Sequence, residues 1–220
     1  MNYTLARQIH KDLRERFVAG QYLPGERVFE DKIAGEFDVS LTPVREAVKL
    51  LESDGLVVRK SHRALFTRSF TLKEAQEIYD MRALLEPHAT KLVAQALDRE
   101  WITSMKRVLA EQKEALGNRE FGRAQSLSAW FHVQVAEQSG NRLLADSIER
   151  LWLMVPLLRA LAWKASDYAR PTHVIDEHQA ILDGILLQPD QASQLAFEHV
   201  YASWEAVKVS LTKALSSSDR

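Results

Sequence analysis

Three histidines in the C-terminal half have the residue type and placement to bind a metal ion. His132, His178 and His199 each lie in the middle of a different predicted helix, with apolar neighbours at helical spacing. Neutral imidazole is a good ligand for zinc, nickel and other borderline divalent metals, and facing helices of a bundle can bring three such ligands together. A histidine on an apolar helix face can equally be a hydrogen-bonded core residue. The spacing alone therefore leaves both interpretations open.

Long helices are predicted to position these histidines. From Thr71 onward turn-forming residues are scarce, and helical periodicity is broken only at short polar or Gly- and Pro-containing stretches. The predicted helices span 71–96, 98–116, 120–138, 141–164, 167–188 and 190–215. Six antiparallel helices joined by short loops form a bundle. Residues 70–220 are therefore expected to form one all-helical domain.

Residues 1–69 have a different pattern. Apolar residues recur every fourth position along the first predicted helix, at Leu5, Ile9, Leu13 and Phe17. Two shorter helices follow, and then β-branched and aromatic residues flank a polar tip, which indicates a two-stranded hairpin. Three helices and a hairpin predict a winged helix-turn-helix. The whole chain is therefore expected to be mainly α, with a winged helix-turn-helix followed by an antiparallel six-helix bundle.

The third predicted helix has features of a DNA-reading helix. It is expected to begin with Thr42 as its cap and Pro43 in its first turn. In a winged helix-turn-helix, the N-terminal residues of this helix meet bases in the major groove, and Arg45 could bind a guanine edge with two hydrogen bonds. The predicted DNA contacts are Ser40, Leu41, Thr42, Pro43, Arg45 and Lys49, with His62 and Arg63 on the hairpin tip. The alternative is a small helical domain with a solvated basic face.

Composition excludes several other classes of protein. The chain has 220 residues, a net charge of −1 and no cysteine, which argues against a nonspecific nucleic-acid coat, a disulfide framework and thiolate metal sites. The N-terminal segment lacks the apolar core of a signal peptide. No apolar run reaches the ~18 residues of a membrane helix. A cytoplasmic protein is therefore expected.

The N-terminal motifs resemble a known family. Residues 5–67 contain "YLPGERV", "TPVREAV" and "DGLV" in order and at the expected spacing, and they resemble the DNA-binding domain of the GntR family of bacterial transcription regulators. Residues 71–216 resemble the FCD-type effector domain of its FadR-like branch, through "IYDMRALLEP", "EHQAIL" and related pieces. The count of six helices is similar to the VanR-like subgroup. The resemblance implies a regulator whose DNA affinity responds to a small molecule.

Two positions of the DNA-binding domain depart from the family pattern. Members of the family usually have Arg where this chain has Leu41, and commonly Arg where it has Asp31. Fewer phosphate contacts lower the affinity and flatten its salt dependence, and loss of a guanine-reading Arg removes ~1–3 kcal/mol of discrimination. Leu41 could instead contact a thymine methyl group. The operator is therefore expected to differ from the family norm.

The resemblance also implies a metal site. In metal-binding FCD domains three His and one Asp hold a divalent ion, and the three His match His132, His178 and His199. The Asp position, four residues before the first His, is Ser128 here. One outcome is a metal, Zn or alternatively Ni or Mn, held by three His and water. The other is a metal-free pocket whose imidazoles bind an anionic effector directly. The first is favoured.

Two further residues are candidates for effector binding. The resemblance places Arg82 toward the pocket, where its guanidinium can take a carboxylate, while its spacing also predicts an ion pair with Glu86. Asn141 is a candidate ligand contact, although a helix N-cap is the preferred interpretation of this residue.

These expectations combine into a leading hypothesis and two alternatives. The leading one is a homodimeric repressor that binds a palindromic operator and responds to a small carboxylate, with metal assistance. A metal-dependent enzyme with a three-His site is the first alternative, and a pure interaction protein is the second. No Glu or Asp is spaced as an obvious general base, and an enzyme would leave the winged helix unexplained.

Overall fold

The computed structural model describes residues 2–60, 64–164 and 171–218. Its order of elements begins with α1 (Asn2–Val18), β1 (Arg27–Val28), α2 (Glu30–Glu36), α3 (Leu41–Ser53), β2 (Val57–Arg59) and β3 (Leu65–Thr67). The long helices follow as α4 (Leu72–Ala96), α5 (Arg99–Gly117), α6 (Phe121–Gln138), α7 (Arg142–Lys164), α8 (Pro171–Leu187) and α9 (Pro189–Ser218). The predicted mainly α class, with a winged helix-turn-helix and a six-helix bundle, is confirmed.

The N-terminal unit is a three-helix winged fold. The apolar stripe of α1 is buried at Ile9, Leu13 and Phe17, which pack in one cluster with the inward face of α3. The predicted hairpin forms as β2 and β3. A further strand, which the sequence pattern does not predict, joins it: β1 pairs antiparallel with β3 in a sheet of order β1-β3-β2.

The start of α3 differs from the prediction. Ser40 has extended backbone angles (φ −71°, ψ 164°) and is the N-cap, so Thr42 lies inside the first turn instead of capping it. The Ser40 side chain makes no capping hydrogen bond to the helix. Pro43 remains in the first turn, where its missing N–H costs nothing. The helix ends at Ser53, and Gly55 lies just beyond it at φ +75°.

The C-terminal unit is the bundle that positions the histidines. Its first helix begins with a capping box, in which Thr71 and Glu74 satisfy each other's backbone N–H. Helices α4 and α9 pack along each other, and α8 packs against α9 and α5. A second apolar cluster, which includes Met105 of α5 and Ile185 of α8, lies between these packed helices. No helix among the described residues is long and apolar enough to cross a membrane.

The two units share one continuous core. The first cluster includes Leu13 and Leu56 of the winged unit together with Tyr79 and Trp152 of the bundle. Polar contacts cross the same boundary, where Arg14 Nη2 donates to Glu149 Oε1 at 2.8 Å. Helices α1 and α7 are therefore packed directly against each other.

Candidate functional site

The structure brings the three candidate histidines together in the interior of the bundle. His132 comes from α6, His178 from α8 and His199 from α9, and the atoms that could bind a metal all lie within 4.8 Å of one another. All three side chains are buried. The Nε2 atoms of His132 and His178 are 3.0 Å apart.

Two carboxylates orient two of these imidazoles from outside the cluster. Glu86 Oε2 lies 2.8 Å from His132 Nδ1, and Glu177 Oε2 lies 2.7 Å from His199 Nδ1. A carboxylate beside Nδ1 fixes the proton there and leaves the Nε2 lone pair for another partner, which is the usual outer shell of a metal-binding histidine. The Nε2 atom of His199 is buried and has no hydrogen-bond partner among the described residues.

The space beside the cluster is small. A cavity of about 10 Å³ is lined by His132, His199, Glu86 and Thr90 together with apolar side chains. That is room for about one water-sized group. Three converging imidazoles, of which His199 has an Nε2 without a partner among the described residues, fit a borderline divalent ion such as zinc. Ser128 is buried one turn before His132, but its hydroxyl accepts from Arg159 Nη1 at 3.4 Å.

Arg82 forms the predicted ion pair and keeps two nitrogens without a partner. Its Nε donates to Glu86 Oε1 at 2.6 Å within α4, so the predicted ion pair forms. The side chain is fully buried, and Nη1 and Nη2 have no partner among the described residues. Its guanidinium carbon lies 4.3 Å from the centre of the Trp152 ring. Two buried N–H-bearing nitrogens are therefore left for a ligand.

Burial and neighbouring charges set the protonation states of the pocket. Burial lowers the pKa of His178 and His199 well below the ordinary value of 6.5, and nearby imidazoles add to the effect. Burial also lowers the pKa of His132, against the opposing attraction of Glu86. Burial alone would raise the pKa of Glu86, but Arg82 and His132 outweigh it and hold the pKa far below its usual range. At neutral pH the imidazoles are uncharged, as metal ligands must be.

Three side chains around the histidines were not identified from the sequence as part of this site. Glu177 precedes His178 directly in the chain, but adjacency in sequence does not show that it pairs with His199. Trp152 donates its indole N–H to Glu86 Oε1 at 2.9 Å and stacks on His132 at 4.2 Å. Arg159 is the only charged residue in the apolar stretch 151–163. That isolation was an available signal, because a charge there must be buried and needs a partner.

The predicted DNA-reading residues are mostly exposed. The side chains of Arg45 and Lys49 are 59% and 64% exposed. Arg45 Nε lies 3.4 Å from Glu30 Oε2, and Lys49 lies 2.7 Å from Glu46. Exposed ion pairs of this kind contribute little. Both cations can therefore exchange these carboxylates for DNA.

Of the predicted contact residues, two need correction and two lie outside the described residues. Pro43 is buried against the core of the winged unit, because it lies next to Val44 on the inward face of α3. Its side chain is therefore not available to DNA. Asn141 is exposed and caps α7, its Oδ1 accepting from Leu144 N at 3.1 Å, so the effector-contact interpretation is withdrawn. His62 and Arg63 lie outside the described residues.

The metal-free protein is expected to lose stability as the pH falls below about 6.5. Above that value the three buried imidazoles are neutral in both folded and unfolded chains. Below it the unfolded chain binds protons that the folded chain does not, so the free energy of unfolding falls by up to ~1.4 kcal/mol per pH unit for each histidine. Urea unfolding in chelator at pH 7.5, 6.5 and 5.5 measures this.

A matched pair of variants isolates the pocket in that experiment. His178→Gln should remove about one histidine's share of the slope, whereas His173→Gln, at an exposed position of the same helix, should leave the slope unchanged. Equal slopes for the two variants would contradict the assignment.

Comparison with known proteins gives two family matches. Residues 5–66 match the family described as bacterial regulatory proteins, gntR family, and residues 77–202 match the FCD domain. The solved structure of E. coli McbR/YncC superimposes with a TM-score of 0.84 over 92% of this chain and 96% of that one, at 20% sequence identity. That likeness supports the fold.

Similar curated proteins are transcription regulators, which leaves the enzyme alternative without support. The chain is 31% identical over 196 residues to the uncharacterized HTH-type transcriptional regulator YdhC of Bacillus subtilis (strain 168), covering 89% of this chain and 85% of that protein. It is 24% identical over 180 residues to the gluconate operon transcriptional repressor of Bacillus licheniformis, covering 79% and 72%. The chain therefore belongs to the GntR family of DNA-binding transcription regulators and has an FCD domain.

Proposed function

We propose that this regulator is a repressor whose homodimer binds a palindromic operator and releases it when a small carboxylate binds the histidine pocket. The observation that carries the proposal is the buried cluster of three imidazoles, two of them oriented by carboxylates, beside an arginine with two unpaired nitrogens. The repressor role is supported by the name of the similar gluconate operon protein. In this proposal residues 1–69 bind DNA, and residues 70–220 bind the effector and dimerise.

A divalent metal, zinc in the first instance and nickel or manganese as alternatives, is part of the proposal. His132, His178 and His199 would hold it, and the ion would supply a positive centre for a carboxylate oxygen. The geometry that supports this is the placement of Glu86 and Glu177 on the Nδ1 atoms of two ligands. Ser128 supplies no charge, so a bound cation would keep its full charge in a buried place. An anionic effector would offset that cost.

Arg45 is proposed to read a base of the operator. Arg45→Ala should lose at least about tenfold in specific affinity, or ~1.4 kcal/mol, because a bidentate contact to guanine is removed. The fold should survive, since the side chain is exposed and its ion pair with Glu30 is long. Fluorescence anisotropy with the cognate operator measures the affinity. The control is Arg123→Ala, which removes the same charge from an exposed position on α6. An equal loss of affinity in both variants would contradict base readout by Arg45.

The functional unit is proposed to be a dimer formed mainly through the bundle. A single winged helix-turn-helix reads one half-site, and two-fold symmetry supplies the second half-site of a palindrome. Light scattering at micromolar concentration should give twice the mass of the 25.1 kDa chain, with and without operator. The mass of one chain under both conditions would contradict the dimer.

Metal and effector binding are expected to strengthen each other by the same factor, because thermodynamic linkage is reciprocal. Calorimetry should show tighter zinc binding in the presence of any carboxylate that releases the operator. His178→Ala should lower zinc affinity at least about tenfold and abolish release, since a ligand is lost. His173→Ala on the same helix is the control. Unchanged metal content and unchanged operator release in His178→Ala would place the site elsewhere.

A further inference from the structure

Arg159 of α7 is a buried cation for which the described part of the chain provides no carboxylate. Its side chain is 4% exposed. Nη1 donates to Ser128 Oγ at 3.4 Å and Nη2 donates to Ser203 Oγ at 3.2 Å, while Nε has no partner among the described residues. Neutral hydroxyls do not compensate a charge, and an uncompensated buried charge is costly. No described carboxylate balances Arg159, so this place is open to the acidic group of a ligand.

Arg159 and Arg82 belong to the same polar interior. The centre of the Trp152 ring lies 4.3 Å from the guanidinium carbon of Arg82 and 5.2 Å from that of Arg159. Ser203, which accepts from Arg159, also lies 3.3 Å from the hydroxyl of Tyr79, and the Tyr79 ring contacts Arg82 at 4.7 Å. Two guanidiniums with unused N–H groups therefore flank one indole beside the histidines.

With a divalent metal bound, this interior would need more than one further negative charge. Among the described residues, Arg82 and Arg159 are opposed by the buried carboxylate of Glu86 and by that of Glu177, which contacts His199. These four charges balance, and a divalent cation would add two positive charges. A monoacid would offset only one of them.

We propose that Arg159, held by Ser128 and Ser203, is a second anion-binding group of the effector pocket, and that the effector is a small dicarboxylate. One acidic group binds at Arg82 and the histidines, and the other binds at Arg159, where a guanidinium can hold a carboxylate with two hydrogen bonds. This inference rests on the proposed function, since it names the class of the effector. The present cavity of about 10 Å³ is too small for such a ligand. Binding therefore includes a separation of the helices around Trp152.

The ligand arm of the test compares diacids with their half-amides. Succinate, glutarate and adipate are titrated against the full-length, zinc-loaded protein at constant ionic strength, and each is paired with its monoamide. The best diacid should bind at least tenfold more tightly than its half-amide. Arg159→Gln should reduce that ratio below about threefold, and Arg123→Gln on the surface of α6 should preserve it. A panel in which no diacid binds more tightly than its half-amide overturns the proposal.

The second arm needs no ligand and does not depend on Arg159 variants folding. Ser128→Asp places a carboxylate beside Arg159, and Ser128→Asn is its neutral control of the same shape. In metal-free protein at pH 7 the Asp variant should melt at least about 2 °C above the Asn variant, and it should lose the preference for diacids. Melting of the Asp variant at or below that of the Asn variant would overturn the claim that Arg159 is uncompensated.

The outcomes separate this inference from the proposed function. If half-amides bind the protein and release it from the operator as well as diacids do, the proposed carboxylate-responsive repressor is supported and the proposed role of Arg159 is wrong. If no acid of either kind binds or releases the operator while the wild-type protein still binds DNA, the proposed function fails and the dicarboxylate assignment fails with it.

Discussion

The carboxylate of Glu86 is the interaction on which the pocket depends. One oxygen accepts from Arg82 of its own helix and from the indole of Trp152 on α7, and the other contacts His132 on α6. Three helices are thus held to one buried charge. Removing one partner of a buried ion pair costs about 3–5 kcal/mol, because the other charge is left uncompensated. Glu86 therefore fixes how α4, α6 and α7 sit before any ligand is considered.

Most of the architecture could be predicted from the sequence because it follows from local patterns. The stripe at Leu13 and Phe17, the cap at Thr71 and the stop at Gly55 each depend on residues a few positions apart. Strand β1 was missed since two residues, Arg27 and Val28, have no recognisable period, and their pairing with β3 is set by tertiary contacts. The cap of α3 was placed two residues late because Ser40 and Thr42 are equally good N-cap residues by type.

The candidate site was predictable only in part, for a different physical reason. The three histidines stood out because polar residues at apolar helix positions are unusual. Their partners did not, because Glu177 pairs with His199, a residue 22 positions away, and Arg159 meets Ser128 across 31 positions. Such pairs depend on how helices pack, which a single sequence does not specify. Asn141 shows the converse. Its capping of α7 depends on nearby residues and was predictable, whereas its exposed position does not fit a role in the pocket.

Helix α7 is the element through which the pocket and the DNA-binding unit are physically connected. Trp152 lies against His132 on the pocket side, while Glu149, one turn earlier, accepts from Arg14 of α1, and Met154 lies 3.9 Å from Arg68 Nη1 at the junction of the two units. Packed interiors do not deform gradually, so a helix displaced at one point shifts as a unit. A ligand large enough to part the side chains around Trp152 would therefore act on α1 through the same helix. Since α1 shares its core with α3, the helix proposed to read DNA is the next element in that series of contacts.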